Sequence, residues 1–571
     1  MRKAGVLLPV SSLPSPYGIG TLGRQAYDFV DFLVRAGQNL WQVLPVGPTG
    51  FGDSPYQSFS AMAGNPYFID LELLAANGLL ERREISRHWG EDPGRVDYNL
   101  LFRQRPKVLA KAVARQNKAA PDYRAFCEEQ AFWLDDYALY MAIKEAHGHR
   151  GFMAWPEELR LRHPEALKAA RAQYAPQMEY RRCTQFFFYQ QWMALKQYAN
   201  AAGVDIVGDI PIYVSDDSSD LWANPELFLL DDGGHMRAVA GVPPDAFSAD
   251  GQLWGNPLYN WPQHNRTHYA WWIARLRHSA QLYDITRIDH FRGFAGFYAV
   301  PPGDDNARRG RWVKGPGMDF MRAINSALPD IQIIAEDLGY LTREVHELLA
   351  LSGFPGMKVL QFAFDSREES DYLPHNYQRH TVVYTGTHDN NTTRAWAHEA
   401  RREDITFARR YLGIGPRQNL TDAMIRSALS SVAETAVVPL QDWLGLGAEA
   451  RINTPSTLGG NNWCWRLQPG QLTDALAAHM RLYTRTWGRL SAVEKAKEQL
   501  AAELAEKADT FGTVMPVASE RSAEKLISMV EDETEPLGDS ELVLAPPDDG
   551  PDENAAPGPG HKKAAPEDEK K

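Results

Sequence analysis

The stretch that decides the fold is 269–290, where YAWWIARLRHS (269–279) is followed four residues later by DITRIDH (284–290). The first segment spaces its apolar residues as an amphipathic helix does. The second is a short β-branched run that ends abruptly in polar residues. The same kind of run recurs on both sides: GVLLPV (5–10), LWQVLPV (40–46), VDIVGDIPIYV (204–214), IQIIAEDL (331–338), MKVLQFAF (357–364), TVVYTGTHD (381–389) and ETAVVPL (434–440). Helical segments stand between most of them, as at 26–36 and 342–351. Strands alternating with helices argue for parallel βαβ units. Eight such runs predict an α/β fold, a closed (β/α)8 TIM barrel.

The gap between the second and third runs is far longer than one crossover. Residues from about 70 to 200 read as a largely helical insertion, with aromatic-rich stretches at 132–145 and 184–198. The expected organisation is a catalytic barrel over 1–500, carrying that insertion and an active-site loop at 241–261, followed by a C-terminal extension over 501–571. From about 519 that extension reads as a disordered acidic tail. Residues 519–571 hold 15 Asp/Glu against 6 Lys/Arg, and no aromatic residue follows Phe511. Such a composition cannot bury a core.

Of 571 residues, 44% are hydrophobic and 23% charged, ordinary values for a globular chain, and these exclude a mainly disordered or collagen-like one. The formal net charge is −13, and an acidic chain repels phosphate backbones, so no nucleic-acid partner is expected. The chain holds 3 cysteines, Cys127, Cys183 and Cys464, odd in number and far apart, which suits a reducing compartment. Arg2 and Lys3 precede an apolar stretch, but Pro9 interrupts it and no small-x-small cleavage site follows, so a cytoplasmic protein is expected. No uninterrupted apolar stretch reaches the length of a membrane span, and no membrane partner is expected.

In a (β/α)8 barrel the chemistry sits at the C-terminal ends of the strands. Here those ends carry Asp209, then Arg287 and Asp289, then Glu336 and Asp337, then His388 and Asp389. Arg287 and Asp289, two apart on a strand, point to the same side. A neighbouring guanidinium keeps a carboxylate ionised, as a nucleophile requires. Acids crowded into one mouth repel each other and raise the pKa of the least compensated, which then serves as a proton donor. A charged nucleophile beside a protonated acid is the equipment of retaining glycoside chemistry, where the two carboxyls lie about 5–5.5 Å apart. Any single acid at a strand end could equally be a helix cap or a loop anchor.

Three of these segments, RIDHFRG (287–293), IIAEDLG (333–339) and TGTHDNNT (385–392), resemble the catalytic motifs of the α-amylase clan. SLPSPYGIGTLG (12–23), SPYQSFSAMAGNPYFID (54–70), GDIPIYV (208–214) and GVPPDAFSADGQLWGNPLYNW (241–261) resemble, more narrowly, the amylomaltases of glycoside hydrolase family 77. The likeness runs from about residue 4 to about 490; the acidic tail is where the chain departs from the family pattern. The resemblance implies a 4-α-glucanotransferase that moves α-1,4-glucan segments between maltooligosaccharides, serving as donor and acceptor, by a retaining double displacement. It implies Asp289 as nucleophile, Glu336 as general acid/base and Asp389 as transition-state stabiliser, with Arg287 and His388 supporting them and Asp209 and Tyr56 lining the same pocket. The alternatives are an α-glucan hydrolase of the same clan and a non-catalytic glucan-binding barrel.

The 241–261 segment also carries Phe247, Trp254, Tyr259 and Trp261. Aromatic rings stack on the C–H faces of sugars. Trp254 and Tyr56 are the candidate sugar contacts, and Gln252 the candidate for orienting an acceptor hydroxyl, while Trp261 reads as packing. GIGTLG (18–23) matches a dinucleotide-binding pattern, yet a Pro-rich loop separates it from its strand and no acid stands near position 40, so a tight turn is the better reading. His147 and His149 lack a third ligand, and the pairs Asp216–Asp217 and Asp304–Asp305 lack calcium-loop spacing. No cofactor and no metal is expected.

Overall fold

The computed structural model describes residues 2–510 except 51, 245–247 and 340, with the backbone alone for 504–510. Phe247 and the tail expected from about 519 lie outside the described residues. The chain divides into two units, Met1–Glu498 and Gln499–Lys571. In the second, the described residues are helical.

The first unit holds twelve strands among its described residues. They are β1 (Lys3–Leu7), β2 (Leu40–Gln42), β3 (Asp205–Pro211), β4 (Val239–Val242), β5 (Gln252–Pro257), β6 (Ile285–Asp289), β7 (Gly296–Val300), β8 (Arg311–Lys314), β9 (Ile333–Ala335), β10 (Gly356–Val359), β11 (Thr381–Tyr384) and β12 (Thr435–Pro439). Eight of them form one parallel sheet in the order β10-β11-β12-β1-β2-β3-β6-β9, and each falls within or overlaps one of the eight runs seen in the sequence. The β12–β1 pairing, Lys3 opposite Thr435 through Leu7 opposite Pro439, brings the two ends of the chain's strand order together. Between β9 and β10 there is no ladder: the Ala335 amide donates to the Pro355 carbonyl at 3.0 Å, and the Met357 amide donates to Asp337 Oδ1 at 2.6 Å. A Cβ at Gly356 would lie 2.6 Å from Asp337 Oδ2, so glycine is what lets this carboxylate reach across the seam.

The strands read as nearly continuous apolar runs because both of their faces are buried. All eight contribute to one inner cluster, with Leu7, Leu40, Val207, Ile285, Ile334 and Val437 among its members. The alternate residues, such as Val6, Trp41, Ile206 and Ile288, pack outward in the larger core with the helices. The helices expected at 26–36, 269–279 and 342–351 are found at Arg24–Arg35, Ala270–Leu282 and Arg343–Ser352. Among the described residues no helix is long and apolar enough to cross a membrane.

Between β2 and β3 the chain forms helices from Leu71–Ala76 to the 27-residue Ala175–Ala201. The last of these reaches the barrel mouth through its polar side chains. Gln185 accepts from the Gly64 amide at 2.7 Å and donates to the Gly64 carbonyl at 2.9 Å. Tyr189 donates to the Met62 carbonyl at 2.6 Å. The loop after β2, which carries Tyr56, is thereby pinned from outside.

The segment 241–261 is not the loop expected from its Gly and Pro content. It spans the end of β4 and all of β5, an antiparallel pair, and β4 also pairs with β7, which pairs with β8. This second sheet, β5-β4-β7-β8, draws strands from the segments after β3 and after β6. The β4–β7 pairing that joins its two hairpins is distant in sequence, and glycines 241, 251 and 255 interrupt the alternation that marks a strand. The glycines of 18–23 pack against the protein itself. A Cβ at Gly20 would stand 1.7 Å from the Val10 carbonyl oxygen, and one at Gly23 2.1 Å from the Asp70 carboxylate, so the pattern serves a close turn and leaves no cradle for phosphates.

Candidate active site

The ends of β3 and β6 lie side by side, with Asp209 opposite Arg287 and Pro211 opposite Asp289. Arg287 Nη1 donates to both oxygens of Asp209 at 2.7 Å, and Nη2 donates to Asp289 Oδ1 at 3.0 Å. The side chains of Arg287 and Asp209 are 4% and 0% exposed, while that of Asp289 is 31% exposed and open to the mouth. A buried guanidinium is costly unless paired. Burial works against its charge, and Asp209 and Asp289 more than offset that, holding its pKa well above the ordinary value. Tyr56 donates to Asp209 Oδ2 at 2.9 Å, a third hydrogen bond to that buried carboxylate.

Glu336 follows β9 and is held differently. Its Oε2 accepts from the His290 amide at 2.7 Å and its Oε1 from the Leu338 amide at 2.8 Å. The first contact depends on a left-handed backbone at His290, φ 54°, which turns the chain sharply after Asp289. Burial, and then the nearby charge of Asp289, push the Glu336 carboxyl up to about 8 against the pull of Arg287 and the two amides. Burial also raises Asp289, with Arg287 opposing it. Of the two acids, Asp289 holds the direct cation contact, so the proton resides on Glu336 at neutral pH.

Asp389 follows β11 in the next wall of the mouth. Its Oδ1 accepts from Asn453 Nδ2 at 2.6 Å, its backbone carbonyl accepts from Arg451 Nη2 at 2.8 Å, and its Oδ2 lies 3.5 Å from His388 Nε2. The His388 ring stacks on Tyr56 at 5.2 Å between centroids and 18° between planes, and Trp463 packs against both. From the second sheet, Trp254 sets its indole edge-on to His290 at 4.7 Å and 84°. Its Nε1 donates to Gln252 Oε1 at 3.1 Å. Burial and Arg292 push the His290 imidazole down to about 3, so it meets Trp254 as a neutral ring.

The site residues expected from the sequence lie in one connected network: Asp209 and Asp289 on the Arg287 guanidinium, Tyr56 on Asp209, His388 stacked on Tyr56 with Asp389 beside it, and Glu336 joined through the His290 amide, against whose ring Trp254 packs with Gln252 behind it. Asp337 turns the other way, into the seam between β9 and β10. Asn453, Arg451, Trp463 and His290 were not legible in advance. The first three stand in the long connection after β12, where the Arg-Ile-Asn at 451–453 was the one available signal. His290 acts through its backbone amide. Among the described residues no group of three His, Cys, Asp or Glu side chains could hold a metal ion.

The profile of the family described as 4-alpha-glucanotransferase matches residues 8–473. The 4-alpha-glucanotransferase of Streptococcus pneumoniae is 48% identical over 496 residues, 86% of this chain and 98% of that protein. The protein of the same description from Thermus thermophilus is 47% identical over 501 residues, 86% of this chain and 99% of that one. Among solved structures, amylomaltase from Streptococcus agalactiae in complex with acarbose superposes with a TM-score of 0.84 at 42% identity, covering 86% of this chain and 100% of that one.

Proposed function

This chain belongs to the 4-alpha-glucanotransferase family, glycoside hydrolase family 77, and from that premise we propose how its strand-end carboxylates divide the work. The enzyme transfers α-1,4-glucan segments, with maltooligosaccharides as both donor and acceptor. Asp289 attacks the anomeric carbon of the donor, and the bond from that carbon to the leaving glucan's O4 breaks as Glu336 gives the oxygen its proton. The product of this half-reaction is a glycosyl ester of Asp289. An acceptor glucan then brings its 4-hydroxyl to the same place. Glu336, now ionised, takes the hydroxyl proton, the oxygen bonds to the anomeric carbon, and the Asp289 carboxylate departs. Protons and electron pairs balance over the two steps, and the configuration is retained.

The observation that carries this reading is the unequal treatment of two neighbouring acids. Asp289 has the Arg287 guanidinium at 3.0 Å, whereas Glu336 has two backbone amides and a pKa of about 8. An ionised nucleophile beside a protonated donor is the state that the first step needs. Asp389, tied by Asn453 and flanked by His388, would hold the hydroxyls of the sugar as charge develops at its anomeric carbon. A reducing, cytoplasmic setting suits the three unpaired cysteines.

The test uses maltotriose and α-maltosyl fluoride. The wild-type protein should turn maltotriose into longer oligosaccharides and glucose. Asp289→Asn should abolish turnover of both substrates. Glu336→Gln should lose maltotriose turnover yet still form the covalent intermediate from the fluoride, whose departure needs little protonation. Normal maltotriose turnover by Glu336→Gln would overturn the assignment.

A further inference from the structure

Among the described residues β8 is an edge strand, paired with β7 alone, and it presents Trp312 with 46% of its surface exposed. This indole is fixed in place although it is open to solvent. The Arg292 guanidinium carbon stands 4.1 Å over its centroid, and Tyr298, directly opposite in the strand register, meets it edge-on at 5.3 Å and 66°. The next pair on the same face of the ladder is Gly296 with Lys314, so β7 offers no side chain at that position beside the indole. Arg292 itself lies three residues beyond Asp289, in the turn Phe291–Phe294 that hands β6 over to β7. The two residues before it hold Glu336: the His290 amide donates to Glu336 Oε2 at 2.7 Å and the Phe291 amide to the Glu336 carbonyl at 3.0 Å. The ring is thus one guanidinium and one tight turn away from the residue that serves the leaving and accepting oxygens. A rigid, half-exposed aromatic ring has the form of a stacking surface for the C–H face of a sugar.

We propose that Trp312, braced by Arg292, is a stacking platform for a glucose residue of the acceptor glucan beyond the one whose 4-hydroxyl reacts, so that it favours longer acceptors over single sugars. The proposal rests on the glucan-transfer reading above and adds to it a subsite contributed by the second sheet. The same platform would hold the leaving portion of a long donor, because the leaving and accepting chains use the same side of the reaction centre in turn.

The experiment isolates the acceptor step by using α-maltosyl fluoride as donor, since fluoride places no sugar on the acceptor side. Transfer to glucose is compared with transfer to maltotetraose, in the wild type and in Trp312→Ala. The half-saturating concentration of maltotetraose should rise by roughly tenfold, while that of glucose stays within about twofold, and Trp312→Phe should recover most of the loss. An equal change for both acceptors would mean that the ring acts only by bracing Arg292, and no change for maltotetraose would mean that no sugar touches it. Either result overturns the platform. Wild-type protein that transfers to neither acceptor would instead overturn the glucanotransferase reading, and the platform with it.

Discussion

The high pKa of Glu336 makes the active site a source of pH-dependent instability, and Glu336→Gln should reveal it. An ordinary glutamate titrates near 4.5, and this one is pushed up to about 8 by burial and by Asp289. The native state therefore holds a proton that the unfolded chain releases. With more protons bound in the native state, stability falls as pH rises, beginning near 4.5 and levelling off above about 8. At about 1.4 kcal/mol per unit, the wild type should lose about 3 kcal/mol between pH 5 and pH 8 on account of this one group. Glutamine carries no such proton. It restores only one of the two acceptor positions that the His290 and Leu338 amides use, at a cost of about 1–3 kcal/mol that does not vary with pH. The constant cost cancels when the two proteins are compared across pH. Urea unfolding followed by circular dichroism at pH 5, 6.5 and 8 should show Glu336→Gln gaining on the wild type by about 3 kcal/mol over that range. A gap that stays the same at all three pH values would refute the reasoning, because Glu336 would then be ionised in the folded protein throughout.

The same proton should shape activity. The kcat/KM for maltotriose is expected to fall above about pH 8, as Glu336 ionises and can no longer protonate the leaving oxygen; the burst of glycosylation from α-maltosyl fluoride should lack that limb. Asn453→Ala removes the 2.6 Å donor from Asp389, and a hydrogen bond to a charged group is worth about 1.5–3 kcal/mol, so steady-state kinetics on maltotriose should show kcat/KM lower by roughly ten- to a hundredfold. A change below threefold would detach Asn453 from the function of Asp389. Trp254→Ala takes away the ring that shields His290 beside Glu336, and the ratio of released reducing ends to transfer products on maltotriose should shift towards hydrolysis. An unchanged ratio would remove Trp254 from the account of why a sugar outcompetes water.

What the sequence made legible is what local pattern controls. Each barrel strand announces itself because burial on both faces demands an unbroken apolar run, and the carboxylates stand out because they end those runs. Arg287 and Asp289 could be placed on one side of a strand by counting alone. The second sheet was hidden because β4 pairs with β7 across more than fifty residues, a partnership that no local period records, and because glycines stand where alternation would show. The support around Asp389 was hidden for a related reason. Asn453 and Arg451 belong to no strand or helix pattern, and they become functional only when the connection after β12 folds back onto the end of β11. The amide of His290 left no trace at all, since a backbone group carries no residue type.

The unlatticed seam between β9 and β10 gives the barrel a place to begin failing. Everywhere else in the ring neighbouring strands share a ladder, whereas here one amide–carbonyl contact and the Asp337 carboxylate span the gap. If those two bonds give way on heating, the ring opens into a sheet with two bare edges, one of them beside Glu336. Local openings of this kind precede global unfolding, and bare edges recruit strands from other molecules. Heat should then silence the enzyme before its helices melt and drive the silenced population into aggregates, so that its useful lifetime at elevated temperature is set by how fast the seam parts and not by the stability of the barrel as a whole.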